Sequence, residues 1–163
     1  MSLISEPIDW LGINYYTRGI VADDPGEPWP SLKDIEGSMD KTQMGWEIYP
    51  EGLKNLLIRV SKNYTDNLPI LVTENGMACA DIMENQTVYD PSRINYISSH
   101  LTAASAAIEE GVNLQGFFYW SLLDNFEWAF GYEKRFGLVH VDFETQKRTP
   151  KASFKELALS LNS

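Results

Sequence analysis

Apolar residues in this chain follow two spacings. Three short runs carry large or branched side chains at nearly every position: Asp9 to Tyr16, Pro69 to Glu74 and Gly116 to Leu122. Runs of this length and density predict strands buried on both faces, as in a parallel sheet between helices. Between the runs the spacing becomes helical. Leu53, Leu56, Leu57, Val60 and Tyr64 share one face of a helix beginning at Pro50. Ile94, Ile97, Leu101, Ala104 and Ile108 share one face of a second helix. Asp90-Pro91 opens it with an N-cap acceptor and a first-turn proline, and Gly111 is placed to end it in a left-handed conformation. Leu138 to Phe143 alternates and predicts a short strand or hairpin arm. A last helix is predicted from Thr149-Pro150, carrying Phe154, Leu157, Ala158 and Leu161.

Strands alternating with helices predict an α/β architecture with a parallel sheet. Three strands cannot close a barrel that needs eight. They leave two open edges and an uncovered apolar face. The sheet is therefore either an open three-layer one or part of something larger. The irregular stretch from Asp23 to Tyr49 is too long for a routine connection and is expected to be an active-site loop, and a second long loop runs from Asp124 through Gly137. With no repeat or linker, residues 1–163 read as one unit.

The net charge of -10 disfavours nucleic-acid backbones and anionic membranes as partners. No run is long and apolar enough to span a bilayer, and Met1 to Glu6 lacks the pattern of a secretory leader. A single cysteine, Cys79, allows no internal disulfide, so a reducing, cytoplasmic setting is expected. Two isolated histidines make no metal site, and His100, inside a helix pattern, reads as structural. Five Trp, eight Tyr and seven Phe serve either core packing or a carbohydrate site, where sugar faces stack on indole rings.

One acid stands out. The run from Pro69 stops at Glu74, followed by an Asn75-Gly76 turn. A carboxylate at the C-terminal tip of a buried parallel strand is the layout of a (β/α) barrel active site. On this segment alone, a solvated strand-end glutamate explains it as well.

Three segments decide between those readings: Leu11-Gly12-Ile13-Asn14-Tyr15-Tyr16-Thr17, Val72-Thr73-Glu74-Asn75-Gly76, and Trp120-Ser121-Leu122-Leu123-Asp124-Asn125-Phe126-Glu127-Trp128. With Gly131 to Leu138 and Arg148 to Lys151, they make the chain resemble the C-terminal portion of glycoside hydrolase family 1, the β-glucosidase family. The resemblance implies a partial (β/α)8 TIM barrel. These strands would be its sixth to eighth, within one glycosidase domain whose strands one to five are absent from residues 1–163. It implies a retaining β-glycosidase of the β-glucosidase type, with two carboxyl groups about 5 Å apart across the scissile bond.

In that resemblance Glu74 matches the nucleophile, and Tyr16 the tyrosine that hydrogen-bonds it. Asn14 lies near the same subsite. Glu127 and Trp128 match the pair holding the outer hydroxyls of the non-reducing sugar. Trp120 matches the stacking platform, with a cis peptide expected at Trp120–Ser121. Trp46 matches the aglycone-side tryptophan, and Phe136 the far end of the sugar pocket. Relatives acting on 6-phosphorylated sugars carry Ser and Tyr where this chain has Glu127 and Phe136, which favours an unphosphorylated β-glucoside or cello-oligosaccharide as substrate, as in cellulose degradation. The resemblance implies no cofactor.

The acid/base motif of the family, Thr-Asn-Glu-Pro or similar, does not occur here. Glu47, Glu51 and Glu84 lack a matching context and read as loop and helix-start charges. Activity is therefore expected only when the N-terminal part is supplied. The alternative is an inactive barrel fragment, or folding module, with at most weak sugar binding. A lectin-like module is disfavoured because it would not need the Tyr16–Glu74 pair. Open edges predict that the isolated chain self-associates.

Overall fold

A computed structural model describes residues 6–162. The expectation for a leader concerns Met1 to Ser5 as well, and these lie outside the described residues. The elements run β1 (Leu11–Asn14), β2 (Val21–Asp23), β3 (Leu32–Asp34), α1 (Pro50–Asn63), β4 (Ile70–Asn75), β5 (Met83–Glu84), β6 (Thr87–Val88), α2 (Pro91–Glu109), β7 (Leu114–Tyr119), β8 (Val139–Val141), β9 (Arg148–Pro150) and α3 (Ala152–Ser160).

Strands β1, β4 and β7 form one sheet in the order β1-β4-β7, with both pairings parallel. Helices α1 and α2 cover one of its faces. Leu53 and Leu57 of α1 and Ala107 of α2 bury Ile70 and Val72 of β4, together with Tyr15 and Val112. On α1 the predicted spacing marks the sealed face at Leu53 and Leu57, but Tyr64 lies beyond the helix and is exposed. On α2 the sealed face is Arg93, Tyr96, Ile97, His100, Ala103, Ala104 and Ala107, and Ile108 of the predicted stripe is exposed. Pro50 opens α1 with Glu51 in its first turn and Lys62 in its last, each charge complementing the helix dipole.

The expectation of strands buried on both faces fails: the residues of β1 and β7 are only partly buried or exposed, and β4 fully buries Ile70, Val72 and Asn75 alone. The reason is that helices lie on one face only. Trp10 and Phe118 remain 51% and 56% exposed.

Three local expectations shift. Strand β7 begins at Leu114, earlier than Gly116, because Leu114 pairs with Ile70. The last helix begins at Ala152, after Thr149-Pro150, because Arg148–Pro150 pairs antiparallel with Val139–Val141. Asp90 stands at the N-cap of α2 but makes no side-chain cap there. Its carboxylate accepts the Ser153 N–H (2.9 Å) and Oγ–H (2.6 Å), satisfying the first turn of α3 instead.

The stretch from Asp23 to Tyr49 includes β3, which forms a hairpin with β2. Its anchor is Glu47, which is buried and takes bonds from Arg18 Nε (2.7 Å) and the Met39 N–H (2.8 Å). Glu47 is therefore an organiser of the loop and not a solvated loop charge. Gly37 is needed for this packing, since a Cβ there would lie 1.8 Å from Glu47 Oε1.

Candidate active site at the strand tips

Strand β4 delivers Glu74 through a break in its own pairing. Ile70 and Val72 are buried against the helices, and Leu71 and Thr73 are partly exposed. Strict alternation would send Glu74 to the helix side. The register slips between Ile13 and Asn14 on one flank and between Val72 and Asn75 on the other. Such bulges re-aim side chains. Asn75 takes the buried place, donating to the Tyr15 carbonyl (2.7 Å) and the Tyr96 hydroxyl (3.0 Å). Glu74 is left partly exposed, where its Oε2 accepts the Tyr16 phenol at 2.8 Å.

Tyr16 continues β1 beyond Asn14 and packs in a ring of aromatics. Its centroid lies 5.5 Å from that of Trp46 and 6.2 Å from that of Phe136, which meets it edge-on. Trp46 and Phe136 are themselves 6.2 Å apart. Phe136 is only 2% exposed, so it forms the back of this wall. Burial, followed by the bond to Glu74, raises the Tyr16 phenol far above its ordinary value. It therefore remains a donor at neutral pH. Asn14 is exposed nearby and accepts the Thr73 hydroxyl at 2.7 Å.

Trp120 follows β7, with its N–H donating to the Asn75 carbonyl at 2.8 Å. The Trp120–Ser121 peptide is cis. Gly76 permits this approach, because a Cβ there would lie 1.8 Å from the Trp120 carbonyl oxygen. Beyond it, Glu127 begins a tight turn over Trp128–Phe130, closed by the Glu127 N–H on the Gly131 carbonyl (2.7 Å). Burial raises the Glu127 carboxyl above its ordinary value, and the charge of Glu74 raises it further. Glu127 thus feels the charge of Glu74. Trp128 is 82% exposed. The fold gathers Glu74, Tyr16, Trp46 and Phe136 into direct contacts and couples Glu127 to them electrostatically. Trp128 stands at the rim.

Beneath the loop that carries Glu127 lies an ion network that the sequence did not disclose. Arg93 grips Asp81 with two bonds (3.0 and 2.9 Å) and also reaches Asp90 and the Arg135 carbonyl. Lys151, fully buried, bridges Asp81 and Asp124 (2.8 Å to the latter). Asp124 also accepts from Arg135 (2.6 Å) and from the N–H groups of Gly137 and Val141. Burial pushes the Asp124 carboxyl up, but Lys151 and Arg135 outweigh it and hold the group below the usual carboxylate range. One signal was available: Arg93 and His100 fall on the same helical stripe as Ile97 and Ala104, where only a paired or buried polar group can sit.

Among the described residues, no helix is long and apolar enough to cross a membrane. A family model described as glycosyl hydrolase family 1 matches residues 1–159. Beta-glucosidase A of Thermotoga maritima is 50% identical to this chain over 155 residues, covering 94% of this chain and 34% of that protein. A 6-phospho-beta-galactosidase of Leptotrichia buccalis is 45% identical over 163 residues, covering 89% and 35%. The solved structure of the Thermotoga maritima family 1 β-glucosidase with isofagomine lactam superposes with a TM-score of 0.93 at 44% identity, covering 99% of this chain and 36% of that one. The chain spans about a third of the length of the relatives it matches.

Proposed function

The chain belongs to glycosyl hydrolase family 1, and on that premise we propose that it is the nucleophile-bearing C-terminal part of a retaining β-glycosidase of the β-glucosidase type. Its strands β1, β4 and β7 are the sixth, seventh and eighth of a (β/α)8 barrel. The whole enzyme removes terminal non-reducing β-D-glucosyl residues by double displacement.

The observation that carries this reading is the 2.8 Å bond from the Tyr16 phenol to Glu74 at the bulged tip of the central strand. Glu74 attacks the anomeric carbon as the glycosidic bond breaks, and the aglycone oxygen leaves with a proton from the acid/base of the N-terminal part; water, giving its proton to that same group, then cleaves the glycosyl ester. Tyr16 donates to the Glu74 carboxylate and keeps it aimed at the sugar. Trp120 offers a flat face to the sugar. Glu127 accepts hydroxyl hydrogens, and the Trp128 indole N–H donates. Asn14 lies at the same subsite, Trp46 meets the leaving-group side, and Phe136 supports the wall from behind.

Relatives at similar identity carry both β-glucosidase and 6-phospho-β-galactosidase names. Overall identity therefore does not choose between neutral and phosphorylated sugars. Glu127 does: its carboxylate would repel a phosphate dianion, so the substrate is an unphosphorylated β-glucoside.

The acid/base glutamate has no counterpart motif in this sequence, so activity requires the N-terminal part to be supplied. General acid–base catalysis contributes about 10²–10⁴-fold. The test is hydrolysis of an aryl β-glucoside with a good leaving group, by the chain alone and with the complementing N-terminal part. Turnover should appear on complementation and vanish with Glu74→Gln. A complemented Glu74→Gln protein as active as its parent would sink the assignment.

A second reading is a folding module with weak sugar binding at most. It draws on the open sheet face, where Trp10 and Phe118 are half exposed. Failure of complementation, with glucose still bound through Trp120 and Glu127, would favour it.

A further inference from the structure

The Tyr16–Glu74 pair is held from the far side of the sheet by a single phenol on α2. Tyr96 is 1% exposed, and its hydroxyl both accepts and donates a hydrogen bond. It accepts one N–H of the Asn75 carboxamide (3.0 Å) and donates to the Tyr16 carbonyl (3.3 Å). The other N–H of Asn75 goes to the Tyr15 carbonyl (2.7 Å). Asn75, which is fully buried, is the residue next to Glu74. One hydroxyl therefore ties the backbone that carries the donor to the side chain beside the acceptor.

Tyr96 is itself locked in place. The His100 ring stacks on it at 3.9 Å and 25°, and His100 Nδ1 bonds the Tyr96 carbonyl at 2.8 Å. Neither Tyr96 nor His100 belongs to the motifs that carry the family resemblance, and neither touches Glu74.

We propose that Tyr96 is a positioning residue for the Tyr16–Glu74 pair, fixing the phenol-to-carboxylate bond through the Tyr16 carbonyl and the Asn75 carboxamide, with His100 as its clamp. The inference rests on the Glu74 nucleophile reading above and adds α2 to the machinery of that site. Geometry at a reacting carboxylate must be held by the residues behind it, because small displacements there cost rate. Without the Tyr96 hydroxyl, one buried N–H of Asn75 loses its acceptor and the Tyr16 carbonyl loses its donor. Each end of the catalytic pair then loses one of the restraints that set its position.

The test reads the pair directly, without turnover. The chain is labelled with tyrosine carrying ¹³C at Cζ, giving one line for each of its eight tyrosines. Tyr16→Phe identifies the Tyr16 line. Glu74→Gln removes the charged acceptor and should displace that line. Tyr96→Phe, which keeps the ring and its stack, should displace the Tyr16 line in the same direction by more than the line width. Ile97→Val, a buried change on the same helix, should lower the melting temperature and leave the line in place. A Tyr16 line unmoved in Tyr96→Phe overturns the proposal, whatever happens to stability. Should Tyr96→Phe not fold, His100→Gln is decisive by the same criterion, because it releases the clamp and keeps the hydroxyl. If Glu74→Gln itself leaves the Tyr16 line unmoved, the donor–nucleophile pair fails, and this inference falls with it.

Discussion

Replacing Lys151 with methionine removes one cation from the ion network and leaves a side chain of similar length in its place. Lys151 is fully buried and bridges Asp81 and Asp124. Removing one partner of a buried ion pair costs about 3–5 kcal/mol, because the remaining charge stays desolvated. Here each carboxylate keeps other partners. Asp81 retains both arms of Arg93. Asp124 retains Arg135 and two backbone N–H groups. The expected loss is therefore at the low end, about 3 kcal/mol.

Urea unfolding followed by tryptophan fluorescence at pH 7 measures it. With a slope of about 2 kcal/mol per M, the midpoint should fall by about 1.5 M. A double-mutant cycle with Asp124→Asn should show coupling between the two sites. The pH dependence adds a second signature. The folded Asp124 carboxyl is held below its unfolded value, so its contribution is present above the unfolded pKa of about 3.9 and is lost as pH falls through the folded one. Without Lys151, burial regains weight and the loss begins at higher pH. A Lys151→Met midpoint equal to the parent's, or additivity with Asp124→Asn, would refute the network as a stabilising unit.

Other outcomes follow from the same structure. Burial pushes His100 down to about 4, against the upward pull of its bond to the Tyr96 carbonyl. A depressed histidine stabilises fully above its unfolded pKa of about 6.5, and this contribution fades as pH falls toward 4, by about 3 kcal/mol in all; His100→Gln should flatten that part of the stability profile, and an unchanged slope would count against a buried neutral imidazole. Gly76→Ala should lower stability by about 1–3 kcal/mol in thermal melts, since its Cβ would meet the Trp120 carbonyl. Sedimentation velocity should find the isolated chain larger than a monomer through its open sheet face, and Phe118→Asp should shift it toward monomer; a parent that is monomeric at every concentration tested contradicts the role given to that face.

Local physics made the elements legible. A proline at the first turn marked the starts of α1 and α2, and the left-handed Gly111 marked the end of α2. The run ending at Glu74 was legible as β4 for the same reason: a strand buried by helices carries its own apolar signature. The motif resemblance went further and paired Tyr16 with Glu74, 58 positions apart, and expected the cis peptide at Trp120. The start of α3 was misread because Thr149-Pro150 is also a good helix opener. Only a partner strand at Val139–Val141 makes it the end of a hairpin.

Local pattern was enough to settle which segments become strands and helices and which acid stands at the tip of the central strand. These follow from spacing and from residues close in the chain. The tertiary structure alone decided that Glu74 and Asn75 part to opposite sides at a bulge, that Tyr96 stands behind the pair, and that Lys151 joins Asp81 from 70 positions away. Those choices depend on register and on the desolvation of charges brought together from distant segments. No local pattern encodes them, because a buried charge is tolerable only once its partner has been placed beside it.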